Sequence, residues 1–348
     1  MPSIPGTILL IRYSSMGDVI LTAPVISFLR EQFPEARIVL ITLEYYREFF
    51  RDDTRLTKVI GVTKSEPCRD PELLGTAWDL VVDLQNNRYS AEQIRLLQYT
   101  TLRRFNKLHF KRTLLLFLRV NRYGAGESVA MRYVRTCRVG LPAGKLDFSL
   151  QFNGERSGPV FSRAQFDDID RPVIALFPFS AWKNKEWREK YFVSVAHYFS
   201  IKGWNIIIMG GKTDRQKAAR MQFVIGRRCV SLAGDLSLHE CGIVLKHCNL
   251  ALGGDTGLSH LARACGVKTG FLFGPTTVHF GFQPADGSSC TIFQTDLHCR
   301  PCHPHGGNFC WRFDHRCMRA ITPEQVISGL MQLYHGNGEA ARASEPQV

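Results

Sequence analysis

Apolar positions in this chain fall into short blocks separated by stretches with helical spacing, and the pattern occurs twice. In the first half Thr7–Arg12 reads as a buried strand and Val19–Phe33 as a helix. Arg37–Leu43, Lys58–Val62 and Asp79–Leu84 (DLVVDL) follow as strands, with helical patterns between them. Such alternation predicts a parallel sheet with helical crossovers. From Arg88 to about Arg122 the pattern turns basic and amphipathic, and Ser128–Val139 resumes as a helix.

The second set opens with a strand at Val173–Phe177, a helix at Glu189–Lys202, a strand at Asn205–Met209 and a helix at Asp214–Ile225. A short strand near Cys229–Leu232 and a helix at Leu238–His247 come next. Asn249–Leu252 is a short apolar strand that Gly253 and Gly254 are expected to break. Thr256–Cys265 then has helical spacing, with Leu258, Leu261, Ala262 and Cys265 on one face. A last helix is expected from Pro323, N-capped by Thr322. The polar stretch 156–171 reads as a linker, which gives domains at 1–155 and 172–335 and a disordered tail at 336–348. The fold class is α/β, two halves with a cleft between the carboxyl ends of their sheets, where open α/β folds bind ligands.

Bulk properties narrow the function. A chain of 348 residues with 45% hydrophobic and 22% charged residues has room for two soluble cores. The net charge of +13 implies an anionic partner: nucleic acid, a membrane surface or a phosphorylated substrate. No run approaches the length needed to span a bilayer, and Met1 leads straight into a strand without the apolar region of a signal peptide. Eleven cysteines, an odd number placed mostly inside elements, fit free thiols in a reducing cytoplasm.

The candidate chemistry lies in the turns after strands. Gly253-Gly254-Asp255-Thr256-Gly257-Leu258-Ser259-His260 aims backbone N–H groups and a positive helix end at one point, which suits a phosphate or pyrophosphate. Asp255 and His260 add polar side chains there, and an ordinary capped connection is the plain alternative. Arg12-Tyr13-Ser14-Ser15-Met16-Gly17-Asp18 follows the first strand and puts Asp18 at a helix start. No G-x-G-x-x-G is present, so the dinucleotide fingerprint is missing. Ser180 and Lys185 place a hydroxyl and a cation in the loop after Phe177, and Met209-Gly210-Gly211-Lys212-Thr213-Asp214 ends another strand with an acid that can bind ribose hydroxyls.

Together these blocks resemble the family 9 glycosyltransferases, the ADP-heptose:lipopolysaccharide heptosyltransferases. The matching segments are SSMGDVILTAPVI (14–26), P-x-S-x4-K-x-W (178–187), MGGKTD (209–214), LAGDLSLHE (232–240) and GGDTGLSHLARACGV…LFGPT (253–276). They keep family order over roughly residues 7–335. The resemblance implies a GT-B fold of two Rossmann-like domains, the C-terminal one holding the nucleotide sugar. It implies an inverting, metal-independent transfer of heptose from ADP-L-glycero-D-manno-heptose to the lipopolysaccharide inner core. Asp18 would be the general base, Lys185, Ser180, Thr256 and Gly257 would meet the donor phosphates, Asp255 and His260 the sugar or phosphates, and Asp214 the ribose. The alternatives are a protein acceptor of the autotransporter type and an idle nucleotide-sugar binder.

Two further segments carry expectations. Arg95, Arg103, Arg104, Lys107, Lys111, Arg112, Arg119 and Arg122 interleave with Leu114–Leu118 in the acceptor-side half. With the resemblance, this segment suits a phosphorylated lipid at the inner-membrane surface, so the expected enzyme is cytoplasmic and peripheral; no nucleic-acid motif accompanies the charge. Cys299, Cys302, Cys310 and Cys317 fall in one loop (299–317) and could wrap a structural zinc or iron, with His303, His305 and His315 as alternative ligands. Iron occurs in such a loop among relatives that glycosylate autotransporters. That metal would be structural, and none is required for the chemistry.

Overall fold

The computed structural model describes residues 4–63, 66–123, 128–156, 158–164, 166–282 and 289–336. The chain forms two compact units, Met1–His109 with Gly126–Asn153, and Phe110–Ala125 with Gly154–Val348. The expected tail beyond Gly336 lies outside the described residues.

The first unit begins with β1 (Thr7–Ile11), α1 (Met16–Ile20) and α2 (Ala23–Gln32). The single helix expected over Val19–Phe33 is therefore two. Pro24 has no N–H to give the Ile20 carbonyl, and the Thr22 hydroxyl bonds the Val19 carbonyl instead at 2.6 Å. Next come β2 (Arg37–Leu43), a 3₁₀ turn at Glu44–Phe50, β3 (Lys58–Val62), α3 (Pro71–Gly75), β4 (Ala77–Asp83), α4 (Arg88–Ile94) and β5 (Gln98–Arg104). The sheet order is β3-β2-β1-β4-β5, every pair parallel, and Leu9 of β1 stands opposite Val39 and Val81. Leu9, Ile11, Val39, Ile41, Val81 and Trp78 form the core on one sheet face, each worth ~1.5–3 kcal/mol when fully buried.

Strand β5 lies within the stretch expected to be a continuous basic, amphipathic run. Tyr99, Thr100 and Thr101 favour an extended backbone, and an edge strand can carry the half-buried Arg103 and the exposed Arg104, whose charge also deters further pairing. After it, α5 (His109–Thr113) and one π-helical turn (Leu114–Leu118) lead into the second unit, and α6 (Val129–Cys137) returns to pack on α2.

The second unit contains β6 (Val173–Phe177), α7 (Glu189–Ile201), β7 (Asn205–Ile208), α8 (Arg215–Ile225), β8 (Cys229–Ser231), α9 (Leu238–Lys246), β9 (Leu250–Gly254), α10 (Gly257–Ala264), β10 (Lys268–Phe273), β11 (Cys290–Gln294), α11 (Arg316–Arg319) and α12 (Pro323–His335). Its order is β11-β10-β9-β6-β7-β8, again all parallel. Gly253 and Gly254 do not end β9; they pair with Phe271 and Leu272 of β10. A Cβ on Gly253 would fall 2.6 Å from Ser259 Oγ and 2.8 Å from the Phe177 ring, so glycine lets the first turn of α10 close onto the sheet. Trp187, Phe192, Phe199 and Trp204 build the core beneath α7 and α12. In each unit the strand order reverses beside the first strand, at β1/β4 and at β6/β9, which puts a crevice at those carboxyl ends.

No disulfide joins any of the eleven cysteines. Among the described residues no helix is long and apolar enough to cross a membrane.

Candidate active site

In the first unit the crevice is occupied by a charge cluster around Asp18. Asp18 sits in the first turn of α1, where Ser15 and Asp18 form a capping box: Ser15 Oγ donates to Asp18 Oδ2 at 2.8 Å, and Ser15 N does so at 3.3 Å. Arg12, at the end of β1, reaches Asp18 Oδ2 at 2.8 Å and gives its other arm to the Leu84 carbonyl at 2.5 Å. Tyr133 of α6 donates its hydroxyl to Asp18 Oδ1 at 3.1 Å, and the Arg12 guanidinium lies 5.5 Å from its ring centre. Burial alone would raise the Asp18 pKa; Arg12, Ser15 and Tyr133 outweigh it and hold the carboxyl below its ordinary value. Asp18 is thus anionic at neutral pH, with its side chain 17% exposed.

A second carboxylate stands nearby in the sheet. Asp83, at the end of β4, accepts from Asn86 N at 2.7 Å and Ser90 Oγ at 2.9 Å, and burial lifts its pKa above the ordinary value. At 1% exposure it braces the turn into α4 and is out of reach of a substrate, which leaves Asp18 as the accessible acid.

The second unit gathers a cation, an acid and an imidazole at β6/β9. Lys185, in a 3₁₀ turn after β6, places Nζ 2.8 Å from Asp255 Oδ2 and 3.0 Å from the Asp255 carbonyl. Asp255 Oδ1 meets His260 Nε2 at 3.2 Å, and the Thr276 hydroxyl donates to Oδ2 at 3.5 Å. Burial would raise the Asp255 pKa, but Lys185 and His260 pull it well below the usual carboxylate range. The Lys185 and Asp255 side chains are about a tenth exposed, enough for the ammonium to meet a ligand at the crevice.

Thr256 occupies the N-cap of α10 without a side-chain cap bond, and Ser259 turns its hydroxyl back to the Gly254 carbonyl at 2.7 Å. The first-turn amides from Gly257 onward are therefore left by these hydroxyls for an outside acceptor. The other two expected contacts brace their own loops. Ser180 Oγ accepts from Trp182 N at 3.2 Å, and Asp214 Oδ2 accepts from Gly211 N at 2.9 Å in the turn after β7. Asp255 joins Lys185 on one oxygen to His260 on the other, and Ser180 and Asp214 lie on the loops after β6 and β7.

Among the described residues no three His, Cys, Asp or Glu side chains are gathered as a ready metal site, while the expected ligands Cys299, Cys302, Cys310 and Cys317 lie within electrostatic reach of one another in the loop. Arg300 organises the loop. Its guanidinium donates to the carbonyls of Gly274, Thr295 and Thr276 and to Gln294, a set of charge-assisted bonds that ties the loop to β10 and β11. Asn184 clamps the loop's far side, with Asn184 N to the Gly307 carbonyl at 3.0 Å and Gly307 N to Asn184 Oδ1 at 2.8 Å. Gly306, at φ +97°, lies so close that a Cβ would stand 3.0 Å from Lys185 Cε. The loop thus packs directly on the lysine.

Arg12, Tyr133, Thr276, Arg300 and Asn184 are the side chains that motif reading left without a role. Arg12 sits inside a quoted block, yet nothing in its spacing says that it holds Asp18. Tyr133 had no signal at all, being 115 residues away in the chain.

A family model described as glycosyltransferase family 9 (heptosyltransferase) matches residues 71–308. Lipopolysaccharide heptosyltransferase 1 of Pseudomonas aeruginosa is 26% identical over 318 residues, 85% of this chain and 85% of that protein. A family 9 glycosyltransferase structure from Veillonella parvula superposes with a TM-score of 0.77 at 18% identity, covering 95% of this chain and 97% of that one. The structure of E. coli ADP-heptose lipopolysaccharide heptosyltransferase II gives a TM-score of 0.73 at 20% identity, covering 94% and 98%. The fold is that of these GT-B enzymes, as the sequence blocks implied.

Proposed function

The chain belongs to glycosyltransferase family 9, and from that premise we propose that it transfers heptose from ADP-L-glycero-D-manno-heptose to the lipopolysaccharide inner core. The observation that carries this reading is the Lys185–Asp255–His260 cluster beside the N-terminus of α10. A buried cation and a row of backbone amides suit the diphosphate of a nucleotide sugar, whose negative charge grows as it leaves. Asp255 fixes the ammonium in place, and His260 fixes Asp255. Asp214 is assigned to the ribose and Ser180 to the phosphate side.

The reaction is a single displacement with inversion. A bond forms from the acceptor oxygen to the anomeric carbon while the bond from that carbon to the β-phosphate oxygen breaks. The electron pair leaves with ADP, and the acceptor proton passes to Asp18. A carboxylate held below its ordinary pKa is a weak base, and a weak base suffices. The acceptor hydroxyl becomes strongly acidic only as its oxygen bonds to an oxocarbenium-like carbon, so proton transfer comes late. Ionised Asp18 also opposes the positive charge of that transition state. The acceptor is lipid-borne, which makes the protein peripheral to the inner membrane on its cytoplasmic side.

Transfer from ADP-heptose to a panel of truncated lipopolysaccharides, run beside Asp18→Ala, tests the reading. Heptose added to one truncation and absent in the variant supports it and fixes the core position filled. Failure on every truncation, with ADP-heptose still bound, would move the acceptor elsewhere.

A further inference from the structure

Two segments of the second unit, far apart in sequence, are tied together and concentrate exposed apolar side chains. The first is α5 and the π-helical turn, where Phe110, Phe117, Leu118 and Val120 stand out, Phe117 at 79% exposure, while Leu115 is buried. The second is the cysteine-rich loop, where Phe309, Trp311 and Phe313 are exposed, Phe313 at 76%. Arg119 joins them by donating to the carbonyls of Pro301 and Cys299. Phe309 and Phe313 pack edge to face at 4.8 Å, and Arg312 lies over the Trp311 ring at 5.6 Å.

The charge around these side chains is predominantly positive, the one acid of the loop side, Asp314, being paired with Arg312. No Asp or Glu occurs between Glu92 and Glu127, a stretch that carries Lys111, Arg112, Arg119 and Arg122. The loop side carries Arg312, Arg316 and Arg319 with Asp314 as its one acid between 297 and 323. Aromatic and aliphatic side chains set among cations match the boundary of an anionic bilayer, where rings settle at headgroup depth and each nearby cation gains from the surface potential. This is narrower than the basic stretch 95–122 that sequence alone pointed to. Gln98–Arg104 of that stretch is spent on β5 of the other unit, and the cysteine loop enters instead.

We propose that this two-segment surface docks the second unit on an anionic lipid leaflet, with Phe117, Leu118, Phe309 and Phe313 entering the headgroup layer. It deepens the functional reading above, since a lipid-borne acceptor puts the enzyme at a bilayer. The test is flotation of the full chain with phosphatidylcholine vesicles, with and without phosphatidylglycerol, and with two variants, Phe117→Ser/Leu118→Ser and Phe309→Ser/Phe313→Ser. The expected result is binding to the anionic vesicles that weakens with salt and falls about tenfold or more in each variant. Unfolding midpoints and transfer to detergent-dispersed acceptor should match the wild type. No binding to anionic vesicles, or wild-type binding by both correctly folded variants, overturns the proposal. So does a dimer that both variants dissolve while vesicles are ignored, since the surface would then be a self-contact. Vesicle binding without transfer to any dispersed acceptor would sink the enzymatic reading and leave the docking surface standing; transfer without vesicle binding would do the reverse.

Discussion

The two units use the same ion pair in opposite senses. At β1/β4 a buried arginine holds an aspartate, Arg12 to Asp18; at β6/β9 an aspartate holds a buried lysine, Asp255 to Lys185. Each pair has a ring as third member, Tyr133 on Asp18 and His260 on Asp255. Under the proposed roles the acid is the working group of the first pair, with the cation lowering its basicity, and the cation is the working group of the second, with the acid anchoring it. A parallel sheet supplies equivalent places at its reversal point, and on this proposal the sign of the working side chain decides whether the place handles a proton or a phosphate. Exposure separates the partners only in the first pair: Asp18 keeps 17% of its side chain open against 7% for Arg12, whereas Lys185 and Asp255 are nearly equal at 9% and 11%.

The comparison breaks most visibly if the outer groups are removed. Asp18→Ala should lower kcat by ~10²–10⁴, the range of a positioned general base, with donor affinity unchanged. Lys185→Ala should lower kcat/KM by about 10²–10³, as removal of a single leaving-group stabiliser does, and should weaken donor binding too. Rates and donor isotherms for both variants check whether proton and phosphate duties are divided between the units.

Removing an inner group sharpens it. Tyr133→Phe deletes one donor to Asp18, so the Asp18 pKa should rise and the acid limb of the pH–rate profile should move up with it, while kcat at neutral pH changes little because Asp18 stays ionised there. The sign follows from the ionised form being active. In the wild type the acid limb from Asp18 lies below the ordinary carboxylate pKa of ~3.9, and activity is lost only as pH falls through that depressed value. In the variant the limb moves up. A pH–rate profile with an unmoved limb would make Tyr133 a packing residue.

How much of this could be read from the chain depends on where each partner lies. Asp18, Lys185, Asp255 and His260 are legible because each follows a strand in a short polar block. The residues that set their charge are not. Arg12 is six residues from Asp18 and Tyr133 is on another helix, and local spacing carries no record of that contact. The sheet was legible where strands are buried on both faces, as in DLVVDL. It was missed at β5, whose arginines imitate a solvated helix, and in β9 the glycines looked like a stop because their packing against Ser259 and Phe177 is three-dimensional. The cysteine spacing suggested a metal and gave no sign of Arg300, which ties the loop to β10 and β11.

That last point gives the smallest predicted effect. Arg300→Ala should cost about 2 kcal/mol through several lost charge-assisted bonds, a fall in Tm of about 4–8 °C for a unit of this size. A chelator should leave Tm unchanged. A chelator-sensitive Tm with one equivalent of tightly held zinc or iron would restore the cysteines as ligands.

The division of labour between the two ion pairs is tested most directly by titrating ADP-heptose into the wild type, Asp18→Ala and Lys185→Ala, with turnover measured on the same samples. The account predicts an unchanged Kd with turnover lowered by ~10²–10⁴ for Asp18→Ala, and a Kd raised about tenfold or more for Lys185→Ala. A tenfold loss of donor affinity in Asp18→Ala, ~1.4 kcal/mol, would contradict it by placing Asp18 on the donor.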